Sequence, residues 1–172
     1  MNTVAASVVA LVALERLAEL WHARRNTRAL LEGGGIEVGR GHYPFMVALH
    51  TAWLLAIPLT VPSEADVSVP LLIVFAILQG LRLWVLLSLG RYWTTRVITV
   101  PGAPLVRRGP YRFLRHPNYV VVAAEIAVLP LAFGAWAVAA VFSALNAALL
   151  AWRISLEDQV LAPRRSVSHT IP

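Results

Sequence analysis

The sequence predicts an all-α integral membrane protein with about five transmembrane helices, the last two of which form a helical hairpin. The chain is 58% hydrophobic and 14% charged, whereas soluble domains are closer to a quarter charged. Its apolar stretches are long enough to cross a bilayer, and its arginines are concentrated in alternate loops. A length of 172 residues accommodates one membrane domain, residues 1–172, but not two domains.

The predicted spans follow from the apolar segments, since a helix needs about 20 apolar residues to cross the hydrocarbon core. The five candidates are residues 4–20, 43–61, 69–89, 119–133 and 135–152. At 1.5 Å per residue the fourth would be only about 22 Å long. Gly134 and its neighbours alone separate the last two segments, which predicts a tight hairpin. The first segment lacks the basic start and the cleavage site of a signal peptide.

The arginines predict the orientation of these spans. Most of them lie in the segment 22–42, in the long loop 90–118 and in the tail, whereas the loop 62–68 carries only Glu64 and Asp66. Loops rich in arginine stay in the cytosol. We therefore expect the N-terminus outside and the C-terminus in the cytosol, in the plasma membrane if the protein is bacterial.

Composition also excludes several classes of function. The chain has no cysteine, which excludes disulfides, thiolate catalysis and iron–sulfur clusters. No two histidines have a spacing suited to one metal ion, so no metal site is predicted. The net charge of +6 does not indicate a nucleic-acid partner, because the arginines follow the topology rule and no recognition module is present.

Several ionisable residues lie inside the predicted spans or at the cytosolic end of the fifth, all towards the cytosolic side. They are Glu15, Glu19, His50, Arg82, Glu125, Arg153 and Glu157. Such residues are costly in a membrane and are usually functional. They could form internal salt bridges, such as Glu15 or Glu19 with Arg82, or line a polar cavity open to the cytosol. For the first three spans both interpretations stay open. For Glu125, Arg153 and Glu157 the cavity is favoured, because the long basic loop lies beside them.

The end of that loop, residues 100–119, reads VPGAPLVRRGPYRFLRHPNY. Gly109 and Pro110 indicate a turn. Pro117 ends any preceding helix and restrains His116 to an extended conformation. Asn118 is a plausible N-cap for the fourth span.

These residues resemble a known family. The string GPYRFLRHPNY, an apolar stretch with Glu125, a helical hairpin and RISLED at residues 153–158 are together similar to the isoprenylcysteine carboxyl methyltransferase family. The resemblance is specific over residues 90–161. The segments ERLAELWHARRN and GHYPFMVALH are similar to the short bacterial branch, whose members can methylate alkylpyrone-type lipids.

The resemblance implies a membrane enzyme that uses S-adenosylmethionine to methylate an oxygen of a lipophilic acceptor. The acceptor would be an isoprenylcysteine carboxylate or an alkylpyrone-like polyketide lipid, and the active site would face the cytosol. Residues 1–89 would form a three-span part, and residues 90–172 the cofactor-binding loop, hairpin and tail. The identity of the acceptor and the oligomeric state stay open.

The resemblance also implies roles for individual residues. The positions that match cofactor-binding positions are Leu105, Val106, Tyr111, Arg115, His116, Pro117, Asn118 and Glu157. Arg153 matches an arginine at the acceptor, so Arg153 and Glu157 are the implied catalytic pair. Asn118 stands where other members have serine, and Asp158 where they have a second glutamate.

Two rival interpretations stay open at this point. The R-H-P-N-Y string also resembles the C-terminal part of membrane sterol reductases, which would imply NADPH as the cofactor. A non-catalytic membrane protein, such as a small transporter or a subunit with a lipid-binding loop, would use the same arginines at a membrane surface.

Overall fold

The computed structural model describes residues 2–103 and 106–167, with side chains described as far as Val160. The chain is mostly helical. Its α-helices are α1 (Thr3–Glu32), α2 (Tyr43–Thr60), α3 (Val69–Leu89), α4 (Pro117–Leu131) and α5 (Trp136–Val167). Two short strands, β1 (Ile36–Val38) and β2 (Val97–Thr99), pair antiparallel, with Glu37 opposite Ile98.

Three helical segments are long and apolar enough to cross a membrane: Arg40–Thr60, Val69–Tyr92 and Trp136–Val160. The apolar helix Pro117–Leu131 is shorter. These segments confirm the prediction of a mostly helical protein with membrane-spanning helices. A crossing by α1 or α4 stays a prediction.

The structure corrects the sequence prediction at the ends of two helices and in the loops between them. Residues 22–32 were expected in a loop, but α1 continues to Glu32 and ends at Gly33. That stretch has no glycine or proline and contains good helix formers, so nothing stops the helix earlier. Similarly, α5 extends beyond residue 152 to Val167. The β1–β2 pair was not predicted.

Hydrogen bonds between loops place the helix ends at two opposite ends of the molecule. The Asn2 side-chain amide donates to the Ala65 carbonyl (3.2 Å), and the Ser68 amide donates to the Ala132 carbonyl (2.8 Å). At the other end, β1 pairs with β2, and Asn26 of α1 donates to the Trp93 carbonyl (2.9 Å). The helices therefore run alternately up and down. We call the end that holds the strands and the α3–α4 loop the basic end, after its arginines.

The main hydrophobic core joins the helices away from the basic end, with Val9, Ile57, Phe75 and Phe133 among its buried members. One hydrogen bond inside it compensates for a proline. Pro130 lies within α4 and has no N–H to donate to the carbonyl four residues earlier. The Trp53 indole donates to that carbonyl, on Ile126, at 3.1 Å.

Candidate functional site

A cavity of about 450 Å³ opens at the basic end, between the end of α3, strand β2, the loop before α4 and the C-terminal half of α5. Most of the residues implied by the resemblance line it. They are Val106, Tyr111, Arg115, His116 and Asn118 from the loop and α4, with Arg153 and Glu157 from α5. Pro117 is not part of the lining, and Leu105 lies outside the described residues.

The loop is held against α3 by a close approach at Gly109. This glycine has φ +57°, a backbone conformation that favours glycine. A Cβ there would collide with the Ser88 hydroxyl and lie 3.3 Å from the Trp84 indole nitrogen. Next to it, Arg108 Nε donates to the Ser88 carbonyl at 2.7 Å. The 3₁₀ helix Gly109–Arg112 thereby brings Tyr111 to the cavity.

The start of α4 differs from the prediction. Asn118 was expected to cap the helix, but α4 begins at Pro117 and His116 occupies the N-cap position without a capping hydrogen bond from its side chain. Proline suits the first helical position, because its missing N–H would have no partner there. The Asn118 side chain is thus free to line the cavity.

Four side chains form one cluster on the cavity wall: His116, Tyr119, Arg153 and Glu157. Arg153 Nε donates to the Tyr119 hydroxyl (2.6 Å) and to Glu157 Oε1 (3.2 Å). Tyr119 in turn donates its O–H to Glu157. The His116 ring stacks on the Tyr119 ring, with centroids 5.3 Å apart, and His116 Nδ1 is 3.4 Å from Glu157 Oε2.

Arg153 is held in place although it is almost fully buried. Its Nη1 donates to the Thr95 carbonyl at 2.7 Å, so Nε and Nη1 are both engaged. Among the described residues, none accepts a hydrogen bond from Nη2. A guanidinium presents its donors in a fixed planar fork. The hydrogen bonds of Nε and Nη1 therefore also fix the direction in which Nη2 points.

Three polar atoms of cavity-lining residues are buried without a hydrogen-bond partner among the described residues: Trp93 Nε1, His116 Nε2 and Asn118 Oδ1. His116 Nε2 is 3.7 Å from Asp158 Oδ1, too far for a hydrogen bond. Buried polar groups are almost always paired in native proteins. The cavity therefore suits a ligand that supplies hydrogen-bonding groups of its own.

Tyr111 presents a half-buried phenol to the cavity. Burial raises the pKa of its phenol, and the negative charge of Glu157 raises it further. The phenol is thus protonated at neutral pH, and it can stack on a ring or donate a hydrogen bond.

Sequence reasoning missed one wall of the cavity. Leu89, Tyr92, Trp93 and Val97 line it from the end of α3 to β2. Asn26 supports this wall from α1, since its side chain also donates to the Gly90 carbonyl (3.1 Å). The sequence signal that could have indicated this wall is the aromatic pair Tyr92 and Trp93 shortly after the third predicted span.

Arg96 extends the same wall. It is anchored to Glu37 of β1 at 2.9 Å. Tyr119 was also missed, although it stands in the R-H-P-N-Y string beside residues that were assigned.

The prediction that Glu125 shares a cavity with Arg153 and Glu157 is wrong. Glu125 lies in a separate buried cluster and accepts hydrogen bonds from Arg16 (3.1 Å), Gln79 (2.9 Å) and Arg82 (3.1 Å). It is absent from the cavity lining.

The same cluster decides between the two interpretations of Glu19 and Arg82. Arg82 binds Glu19 through two hydrogen bonds of 2.6 Å each, so the internal salt bridge between them is confirmed. In the part of the chain that the structure describes, Glu15 makes no ion pair. We call Arg16, Glu19, Gln79, Arg82 and Glu125 the buried charge cluster.

Comparison with known proteins places this site in a family. No solved structure is significantly similar to the chain. The chain is 38% identical over 160 residues to "Uncharacterized protein YpbQ" of Bacillus subtilis (strain 168), which covers 90% of this chain and 94% of that protein. The profile of the Isoprenylcysteine carboxyl methyltransferase (ICMT) family matches residues 71–163, which include most of α3, the loop, α4 and the cavity-lining part of α5. The chain therefore belongs to the isoprenylcysteine carboxyl methyltransferase family, a family of membrane methyltransferases.

Proposed function

We propose that the protein is an S-adenosylmethionine-dependent methyltransferase that methylates an oxygen of a lipophilic acceptor at the cytosolic face of the membrane. The observation that carries the proposal is the cavity at the basic end, where Tyr111, His116, Arg153 and Glu157 meet. Its position beside helices long enough to span a bilayer would give a water-soluble cofactor and a membrane-borne acceptor access to the same site.

The residues present fit the cofactor. Its carboxylate can bind to Arg115 and to His116 Nε2, since hydrogen bonds with an ionised partner are strong. Asn118 Oδ1 can accept from its ammonium or hydroxyl groups, and Tyr111 can stack on adenine. Glu157 can offset its positive charge. When bound, S-adenosylmethionine supplies a methyl group on a positively charged sulfur.

Arg153 is the proposed acceptor-binding residue. An isoprenylcysteine carboxylate or an acidic alkylpyrone enol is ionised at neutral pH, as carboxylates are in general. Such an acceptor needs orientation and exclusion of water more than a general base. Nη2 of Arg153 can hold the anion, while Tyr119, Glu157 and the Thr95 carbonyl keep the guanidinium in place.

The arrangement of the helices supports the proposed orientation. The arginines of the α1 C-terminal half and of the α3–α4 loop lie at the basic end, and the loop with Glu64 and Asp66 lies at the opposite end. The positive-inside rule puts the basic end in the cytosol. We accordingly propose five crossings, with the N-terminus outside, and the division into a three-span part (1–89) and a cofactor-binding part (90–172).

Calorimetric titration of S-adenosylhomocysteine into detergent-purified protein tests the proposal. We expect micromolar binding by the wild type, and its loss in His116→Ala and Glu157→Gln. The second variant keeps the shape of the side chain and removes its charge. Glu64→Gln is the matched control, because it makes the same change in an exposed loop at the opposite end.

Each alternative result is informative. If folded wild-type protein bound no S-adenosylhomocysteine but bound NADPH, the proposal would fail in favour of a reductase. Binding that survives in both cavity variants would put the cofactor elsewhere. Binding as expected would justify a screen of prenylcysteine and alkylpyrone acceptors for methyl transfer.

A further inference from the structure

Phe113 and Leu114 are exposed apolar residues at the turn before α4. Phe113 is 76% exposed and Leu114 49%. The turn is well defined, because the amides of both residues donate to the Pro110 carbonyl at 3.1 Å. Exposed arginines, Arg112 and Arg115, lie on either side, and the Arg112 guanidinium stands over the Phe113 ring at 5.8 Å from its centroid.

The packing of this turn against α3 fixes its depth. Gly109 is in close contact with Trp84 and Ser88 of α3. The apolar segment that contains α3 ends at Tyr92, about two helical turns after Trp84 and one turn after Ser88. At 1.5 Å per residue, this contact lies about 6–12 Å inside the end of that segment. Trp84 is itself half exposed, as expected for a tryptophan at a membrane interface. A bilayer crossed by that segment would have its boundary near this turn.

We propose that residues 112–114 form an interfacial anchor that inserts Phe113 and Leu114 into the leaflet at the basic end and places Arg112 among anionic lipid headgroups. An apolar tip beside an arginine matches that boundary, since the apolar side chains enter the acyl region and the guanidinium group binds phosphate. A layer of anionic headgroups complements the charge of Arg112.

The anchor also determines where the cavity lies relative to the lipid. Leu114 and Arg115 line the cavity together with Leu89 and Tyr92 from the end of α3. The same short turn thus faces lipid on one side and the cavity on the other. Anchoring would hold the cavity mouth at the headgroup level. Insertion of the turn does not depend on which reaction the cavity performs.

Site-directed spin labelling tests the anchor directly, and the natural chain contains no cysteine that would need removal. Single-cysteine variants Phe113→Cys and Arg112→Cys would carry a nitroxide in nanodiscs that contain phosphatidylglycerol. The readout is the ratio of collisions with oxygen to collisions with a water-soluble nickel chelate, which rises with depth in the bilayer. Ile77→Cys, an exposed position on α3, gives the lipid value, and Glu64→Cys gives the aqueous value.

We expect the Phe113 label to shift towards the Ile77 value and the Arg112 label to stay near the Glu64 value. A Phe113 label with the aqueous ratio would overturn the proposal. A label shielded from both reagents would also overturn it, because the turn would then be covered by protein, such as a second copy of the chain.

The lipid composition tests the role of Arg112. In nanodiscs of phosphatidylcholine alone, we expect the Phe113 label to lie closer to the aqueous value, and Arg112→Gln to reduce this dependence on lipid charge. An equal depth in both lipids would overturn the assignment of Arg112 to anionic headgroups. Since the readout is depth, failure of the anchor and failure of the proposed methyltransferase activity are independent results.

Discussion

At the scale of single residues, Tyr119 holds the cavity cluster together. It accepts from Arg153 and donates to Glu157, and its ring stacks on His116. Neither Arg153 nor Glu157 could be fixed as well by the other alone, because their direct hydrogen bond of 3.2 Å is longer than the 2.6 Å bond from Arg153 to the Tyr119 hydroxyl. The hydroxyl therefore positions both charged groups of the proposed site.

Tyr119→Phe removes this hydroxyl and keeps the stacked ring. Hydrogen bonds to charged groups contribute about 1.5–3 kcal/mol. Because Arg153 and Glu157 lose the group that positions them, we expect affinity for S-adenosylhomocysteine to fall by about tenfold or more. Calorimetry measures the affinity. The matched control is Tyr92→Phe, another cavity tyrosine, whose hydroxyl bonds to the surface residue Arg91. Equal affinity in the two variants would contradict the role of Tyr119.

The sequence pointed to Tyr111, His116, Arg153 and Glu157, which line the cavity, because these residues lie in a short motif and one helical turn. The prediction that Asn118 caps α4 failed, because asparagine is a good N-cap in general, whereas Pro117 starts the helix one residue earlier. The prediction for Glu125 failed because depth along a helix does not reveal which way a side chain faces. Glu125 faces α1 and α3.

At the scale of elements, α4 depends on a partner for its interior proline. The Ile126 carbonyl has no intrahelical donor at Pro130 and is bonded by the Trp53 indole of α2 instead. Trp53→Phe leaves that carbonyl buried and unpaired, which costs about 1–3 kcal/mol beyond the smaller ring. We expect the free energy of unfolding to fall accordingly, as measured by denaturation in mixed micelles.

A double-mutant cycle isolates this bond. Pro130→Ala restores an N–H that can reach the Ile126 carbonyl, so Trp53→Phe should cost less in the Pro130→Ala background than in the wild type. Strict additivity would mean that the effect of Trp53→Phe comes from packing alone.

The sequence predicted the long helices of the bundle but not the short elements at the basic end. Apolar runs identify α2 and α3 to within one residue of their observed ends. The strands β1 and β2 have three residues each and pair across two intervening helices. Pairing between short segments that lie so far apart in the sequence leaves little local pattern from which a strand could be predicted. The extension of α1 beyond residue 22 was missed because loss of hydropathy was taken as the end of a helix.

At the scale of the whole molecule, the buried charge cluster joins three helices of the bundle. It brings together Arg16 and Glu19 of α1, Gln79 and Arg82 of α3, and Glu125 of α4. Its two arginines and two glutamates balance in charge. Removing one partner from a buried ion pair typically costs about 3–5 kcal/mol, because it leaves an uncompensated charge.

Glu125→Gln should therefore lower the free energy of unfolding by about that amount, measured as above. Because Glu125 lies outside the cavity lining, affinity for S-adenosylhomocysteine should stay near the wild-type value at temperatures where the variant is folded. Glu15→Gln is the control, since Glu15 neighbours the cluster on α1 without an ion pair among the described residues. A loss of affinity in folded Glu125→Gln would instead couple the cluster to the site.

The orientation of the whole bundle gives the last prediction. Alternating helices put residue 28, in the second half of α1, at the basic end and residue 64 at the opposite end. Since arginine-rich ends are retained in the cytosol, a membrane-impermeant maleimide should label Glu64→Cys in intact spheroplasts. It should label Arg28→Cys only after lysis. The chain has no cysteine of its own, so each signal belongs to one position. The opposite pattern would turn the cavity to the outside, where S-adenosylmethionine is not produced. Labelling of both positions in intact spheroplasts would contradict a crossing by α2, which lies between them.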